Sequence, residues 1–267
     1  MLIQIYTTII YQPLFNLLVF FYNIIPDIGI AILLLTIVVK AILWPISHKG
    51  LKSQRVLQNL QPKMEALKQK YKDNKEKLGA ETMALYKREK INPLASCFPL
   101  LLQFPIIIAV FRIFRAMFVE TVDFSLLYSF VKIPEAINPI MLGFLDLSKP
   151  QIVLAILAGL AQFWQSRLML QKNKQKNMGS DGKEKNLNLQ QTMSKQMMYF
   201  MPIITVFIAA NFPGGLALYW LAITLLGVLD QYLISRSMDK SNEDHIPPAP
   251  PAPPAPSTPP TPEVIDV

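Results

Sequence analysis

Apolar positions fall into blocks of near-membrane length, separated by polar stretches that are mostly basic. Residues 1–25 carry no charged side chain. Within them Gln12, Asn16 and Asn23 recur at spacings of four and seven, on one helical face, opposite Leu14, Leu17, Leu18 and Phe21. The pattern predicts an amphipathic helix over residues 11–24 lying in the outer interface of a membrane, within an N-terminal unit of residues 1–26. A first true span is the alternative. Pro26-Asp27 then breaks the helix. In the next block the apolar run before Lys40 covers only residues 28–39, whereas a span needs about 20 residues. The first span, residues 27–47, must therefore contain Lys40.

Residues 48–93 follow a different pattern. Val56, Leu60, Met64, Leu67 and Tyr71 step by four, four, three and four, an amphipathic helical stripe. Pro62 either kinks or restarts that helix. Gly79 follows a turn-like break and residues 80–90 read as a second helix, so the segment is a helical hairpin. Asn92-Pro93 has the form of an N-cap followed by proline at the first helical position. The second span, residues 94–118, contains Pro99, Gln103 and Pro105; its prolines free carbonyls that neighbouring helices must satisfy. Residues 119–150 form an outer loop. The third span is residues 151–170, with Gln162 and Gln165 towards its end, and residues 171–195 form a polar, flexible loop. The fourth, residues 196–212, is Met-rich at its start. Residues 213–215, Pro-Gly-Gly, make a tight turn into the fifth, residues 216–236, with Trp220 near the turn and Asp230 near the other end. Residues 237–267 form a disordered, Pro-rich tail of polyproline II character.

Composition places the chain among membrane proteins: 52% hydrophobic, with mean hydropathy +0.31. A net charge of +8 would suit nucleic acid, but the basic residues sit between the apolar blocks. Residues 48–93 hold 12 Lys/Arg against 5 Asp/Glu, and residues 171–195 hold six lysines against two acids. Residues 119–149 hold only two basic residues, Lys132 and Lys149. The positive-inside rule puts both basic segments in the cytoplasm, the N-terminus outside and the tail inside. Lys52, Arg55, Lys63, Lys68 and Lys70 are the candidate hairpin contacts to anionic lipid, a ribosome or an incoming chain. Their plainer role is an orientation signal. The single cysteine, Cys97, excludes an intrachain disulfide. The N-terminus shows neither the basic n-region nor the small-residue cleavage site of a signal peptide.

Lys40 carries the candidate chemistry. A charge at that depth costs about 2.5–3.5 kcal/mol on insertion scales. Two readings are open. The lysine stem snorkels to the cytoplasmic interface, or the ammonium faces a water-filled cavity between helices. Thr36 lies on the same helical face one turn earlier, and Trp44 one turn later, at the interface or over the ammonium. No acidic partner is expected in mid-span. Apart from Asp27 at the boundary of the first, Asp230 is the only carboxylate inside a predicted span, and it reads as a solvated acid at a helix end. There is no Walker-type glycine loop, no His-Glu-x-x-His motif and no Ser–His pair in the spans. No enzymatic activity, cofactor or metal is therefore expected.

Several separate stretches carry a family resemblance. They are Thr-Ile-Val-Val-Lys-Ala-Ile-Leu-Trp-Pro-Ile (36–46), Leu-Gln-Pro-Lys-Met (60–64) and Glu-Thr-Met-Ala-Leu-Tyr (81–86). Ile-Asn-Pro-Leu-Ala-Ser-Cys-Phe-Pro-Leu-Leu-Leu-Gln-Phe-Pro-Ile (91–106) and Asn-Phe-Pro-Gly-Gly-Leu-Ala-Leu-Tyr-Trp (211–220) complete the set. In this order they resemble the YidC family of membrane protein insertases, with its mitochondrial and chloroplast relatives, over residues 11–236. The resemblance implies an all-α protein of the bacterial inner membrane, whose five transmembrane helices enclose a hydrophilic groove open to cytoplasm and lipid. It implies insertion and chaperoning of newly made membrane proteins without nucleotide hydrolysis and without a small-molecule substrate. Nascent chains and the bilayer are the implied partners, with the ribosome and the Sec translocon as further candidates. Lys40, Gln103, Gln165 and Trp220 match groove positions, and Thr36 with Trp220 would form the surface along which a substrate helix leaves. The family usually has arginine where this chain has Lys40; lysine keeps the charge but loses the planar multi-donor fork. Many bacterial members carry a large external domain after an extra N-terminal span, and this sequence shows neither. Its acidic tail argues against the tail-mediated ribosome binding of members with basic tails.

Two other functions compete. A small channel or transporter predicts paired ionisable groups and often an internal repeat, and the sequence displays neither. A translocon-bound assembly chaperone would share every feature above and is separated only by experiment.

Overall fold

A computed structural model describes residues 1–89, 92, 98–118, 122–174 and 189–243. Helix α1 (Leu2–Tyr6) runs through a π turn (Thr7–Tyr11) into α2 (Gln12–Ile24), so the N-terminal helix begins well before residue 11. The π turn packs on α6 (Phe98–Phe118), where the Arg112 guanidinium lies 5.7 Å from the Tyr11 ring centre. Helix α3 (Ile28–Asn59) is capped by Asp27, whose Oδ1 accepts from the Ile30 amide at 3.0 Å. It continues through Pro45 and past residue 47, so the first span and the start of the hairpin are one helix.

Pro62 restarts the chain as α4 (Gln61–Lys70), occupying the first turn where its missing N–H is harmless. Helix α5 (Lys75–Arg88) begins earlier than the expected residue 80. Asn74 caps it by accepting from the Lys77 amide at 2.9 Å, and Gly79 lies inside the helix. A good N-cap has outweighed the propensity cost of one glycine, about 1 kcal/mol. The cap expected at Asn92-Pro93 falls where residues 93–97 lie outside the described set.

Three further helices follow, α7 (Ile152–Lys174), α8 (Leu189–Asn211) and α9 (Gly214–Glu243). The ends of α7 and α8 shorten the polar loop expected over residues 171–195. Helix α9 passes residue 236, so the first residues of the expected tail are helical; the rest lies outside the described residues. Among the described residues, Ile3–Ile24, Ile28–Leu57, Leu101–Phe118 and Gly214–Ile234 are long and apolar enough to cross a membrane. Ile152–Leu168 and Tyr199–Asn211 are shorter apolar stretches.

The loop before α7 is more ordered than an all-α reading allows. It holds a 3-10 turn (Phe124–Leu126) and a small antiparallel hairpin, β1 (Ile140–Met141) with β2 (Leu145–Asp146). The hairpin bends at Leu142 (φ 51°) and Gly143 (φ 82°). The left-handed conformation is costly for leucine. It is held by the Leu142 amide, which donates to Asp27 Oδ2 at 2.6 Å.

The core gathers Phe15, Leu18 and Val19 of α2 with Ile28, Ile32, Leu35 and Val39 of α3. Val110, Ile113 and Phe114 of α6, Leu216 and Tyr219 of α9 and Leu147 of the loop complete it. It therefore lies at the end where α9 begins. The loop closes that end, since Lys149 and Leu147 carbonyls accept from the Gly214 and Gly215 amides at 2.9 and 3.1 Å.

The polar stripe of α2 faces this loop. Gln12 and Asn16 amides both donate to the Leu126 carbonyl (3.0 and 2.9 Å), and Asn23 donates to the Lys132 carbonyl (2.8 Å). Asn16 Oδ1 accepts from the Tyr128 amide at 2.6 Å and the residue is buried. Asn16→Leu strands the Tyr128 N–H and is expected to cost about 1–3 kcal/mol. Thermal unfolding in detergent measures it; an unchanged midpoint would show that the loop does not depend on this contact.

Candidate functional site

Lys40 and Asp230 meet inside the bundle. Lys40 Nζ is 2.8 Å from Asp230 Oδ2, and their side chains are 16% and 9% exposed. Asp230 is thus not a solvated helix-end acid. Its helix extends to Glu243, and Asp230 lies about 24 Å along the axis from Gly214 at 1.5 Å per residue. The packing of α3 on α9 then brings the carboxylate to Lys40, the only charged side chain among residues 28–47. The ammonium is held between α3 and α9 by a counter-charge, a partner that neither the snorkelling nor the cavity reading of Lys40 foresaw. Each charge alone would be expensive there, and the pair is tolerated because each supplies the other's missing solvation.

Two other helices bring polar side chains to α9. Gln103 of α6 donates through Nε2 to the Tyr219 hydroxyl at 2.9 Å. Tyr219 and Asp230 are three helical turns apart on one face, about 16 Å along the axis. Gln165 of α7 packs over Gly227, and a side chain at Gly227 would collide with its amide. Lys40, Gln103 and Gln165 therefore come from three helices and converge on a fourth. Trp220 is half-buried beside Tyr219. Gln231 Oε1, next to Asp230, is buried and has no hydrogen-bond partner among the described residues.

Thr36 is fully buried and its hydroxyl donates to the Ile32 carbonyl at 2.7 Å. It is packed in the core and does not line an open surface, which corrects its expected place beside the substrate's exit. Trp44 lies against His48, ring centres 5.6 Å apart.

The hairpin cations divide. Arg55 Nη2 donates to the Gln231 carbonyl at 2.9 Å and so ties the extension of α3 to α9. Lys63 pairs with Glu89 at 2.6 Å across α4 and α5. The Lys63 hydrogen bond and charge hold the Glu89 carboxyl below its ordinary value of 4.5. Lys70 sits 5.3 Å from the Tyr71 ring centre, Lys52 is exposed and Lys68 is half-buried.

A model of the 60Kd inner membrane protein family matches residues 20–242. Two curated relatives are both named membrane protein insertase YidC. The one from Psychromonas ingrahamii is 36% identical over 231 residues, covering 86% of this chain and 35% of its own. The one from Syntrophus aciditrophicus is 34% identical over 227 residues, covering 84% and 36%. The chain belongs to the YidC family. It spans about a third of the length of those YidC relatives. A crystal structure described as an active YidC insertase with its first transmembrane domain resolved has the same fold. Its TM-score is 0.55 at 24% identity, over 83% of this chain and 46% of that one.

The apolar block around it led to Lys40, and the YidC motifs to Gln103, Gln165 and Trp220, but neither led to the pairing of Asp230, to Tyr219 or to the Arg55–Gln231 tie. A signal for Asp230 was present. It stands three turns after Tyr219, on the same face of a helix whose preceding residues hold no other charge.

Proposed function

We propose that this chain is a membrane protein insertase and chaperone that moves newly made membrane segments from the cytoplasm into the bilayer without nucleotide hydrolysis. The observation that carries the reading is the gathering of Lys40, Asp230, Gln165 and Gln103 on α9 among apolar helices. Such a row of polar side chains, spread over about 16 Å of α9, gives water and a polar flank places to stand partway across, which shortens the dry path. Membership of the YidC family supports it, as relatives are named insertases.

In this reading α3, α6, α7, α8 and α9 span the bacterial inner membrane. The N-terminal helix lies at the outer interface, and the hairpin and C-terminus face the cytoplasm. Lys40 draws in an acidic flank, and Gln103 and Gln165 bond its passing polar groups. The apolar helix leaves into lipid past Trp220. Each Leu, Ile, Phe or Val contributes about −0.3 to −0.6 kcal/mol at the bilayer centre, so a full apolar helix supplies the driving force. Lys52, Lys68 and Lys70 meet the incoming chain or the ribosome. The Sec translocon is a second partner.

The test is reconstitution of the purified chain alone in liposomes. The substrate is a single-span protein with a short acidic N-terminal tail, scored by protease protection. Protection is expected. Protection only after the translocon is added would turn the reading to an obligate assembly chaperone. The buried ion pair is also what an ion path would use. Ion flux through the same liposomes without substrate would favour that alternative.

A further inference from the structure

Lys40 does not stand free. Its ammonium already holds the Asp230 carboxylate at 2.8 Å, with both side chains largely out of solvent. A paired cation presents the field of a dipole, weaker at a distance than that of a bare charge. An acidic flank arriving at Lys40 therefore meets a site that is occupied.

We propose that Asp230 is a specificity-determining residue: it is a resident carboxylate on Lys40, and an arriving segment engages Lys40 by exchange, its own Asp or Glu taking the place of Asp230. This rests on the insertase reading. Exchange keeps one ion pair at Lys40 throughout, so no bare ammonium is left in a low-dielectric site. It also sets how strongly an acidic flank is preferred, because Asp230 competes for Lys40 with a flank that carries a carboxylate and not with one that lacks it. The displaced carboxylate has polar neighbours. The Arg55 guanidinium binds the carbonyl one residue along α9, and Gln231 itself is buried there.

The test compares insertion of an acidic-flank substrate with that of its Asn/Gln counterpart, in liposomes, by wild type, Asp230→Asn and Asp230→Glu. Asp230→Asn removes the competitor and should raise the acidic-over-neutral preference about threefold or more, a modest free-energy change. Asp230→Glu should keep the wild-type preference. Equal preference in wild type and Asp230→Asn overturns exchange and leaves the insertase reading standing. Wild type that inserts neither substrate removes that reading and this inference with it. Should Asp230→Asn fail to fold, the wild type decides. A carbodiimide couples Lys40 to Asp230 as an amide, read by mass spectrometry. An acidic-flank peptide should suppress that cross-link and be captured on Lys40 instead, while a neutral one should do neither. Equal cross-linking with both peptides overturns the proposal.

Discussion

Lys40→Met is expected to lower insertion of an acidic-flank substrate by about tenfold or more, whereas Lys40→Arg retains it. A tenfold loss corresponds to about 1.4 kcal/mol. That is less than the about 2.5–3.5 kcal/mol needed to place an aspartate at the centre of a membrane helix, so a charge at Lys40 that offsets half the cost suffices. Methionine keeps the unbranched shape of lysine, one heavy atom shorter, and removes the charge together with its N–H donors. The buried pair complicates the single variant, because it leaves Asp230 without its cation. Breaking a buried pair by removing one partner costs about 3–5 kcal/mol. The double variant Lys40→Met/Asp230→Asn removes both charges, and it is expected to recover thermal stability without recovering acidic-flank insertion. Protease protection and the unfolding midpoint, measured on all three variants in one preparation, separate the two effects. Wild-type insertion of acidic flanks by the double variant would remove the charge from the transfer step.

What could be read from the sequence was local. A break at Pro62, as a kink or a restart, and blocks of apolar residues follow from breakers and periodicity within a few turns; the chain restarts there as α4, and several apolar helices are present. Pairings between distant segments could not be read this way. Lys40 and Asp230 are 190 positions apart, and helical periodicity assigns a residue to a face without naming what the face meets. The stripe Gln12, Asn16, Asn23 is a case in point. Its face was legible, but an amide is satisfied equally by interfacial water or by a loop carbonyl, and the loop turned out to be there. Thr36 misled for the opposite reason. A threonine hydroxyl in a helix can donate to the carbonyl one turn back, so its polarity does not require a wet surface.

Gly159→Leu carries the second large expected effect. Helix α7 presents Ala155, Ala158 and Gly159 as small residues, the two alanines fully buried, and α8 packs closely upon it. Small residues at such a seam let two helices approach until dispersion holds them, which matters most where lipid offers no hydrophobic drive. A Cβ at Gly159 would overlap Val206 Cγ2 and lie 3.2 Å from the Pro202 carbonyl oxygen. The valine methyl can turn aside, but the carbonyl belongs to the backbone of α8 and cannot. Alanine is therefore a moderate strain at this position, and leucine forces the helices apart. Overpacking of this kind costs about 1–3 kcal/mol. Each kcal/mol lowers the unfolding midpoint of a chain this size by about 2–4 °C. Gly79 is the control, because a Cβ there meets nothing within 4 Å. Gly79→Ala inside α5 is expected to stabilise by about 0.5–1 kcal/mol. If both glycine variants unfold at the wild-type temperature, the α7–α8 seam is not close-packed. If only Gly159→Leu falls, Gln165 is the next place to look. It lies about 9 Å further along the same helix, and its packing over Gly227 depends on where α7 stands against α9.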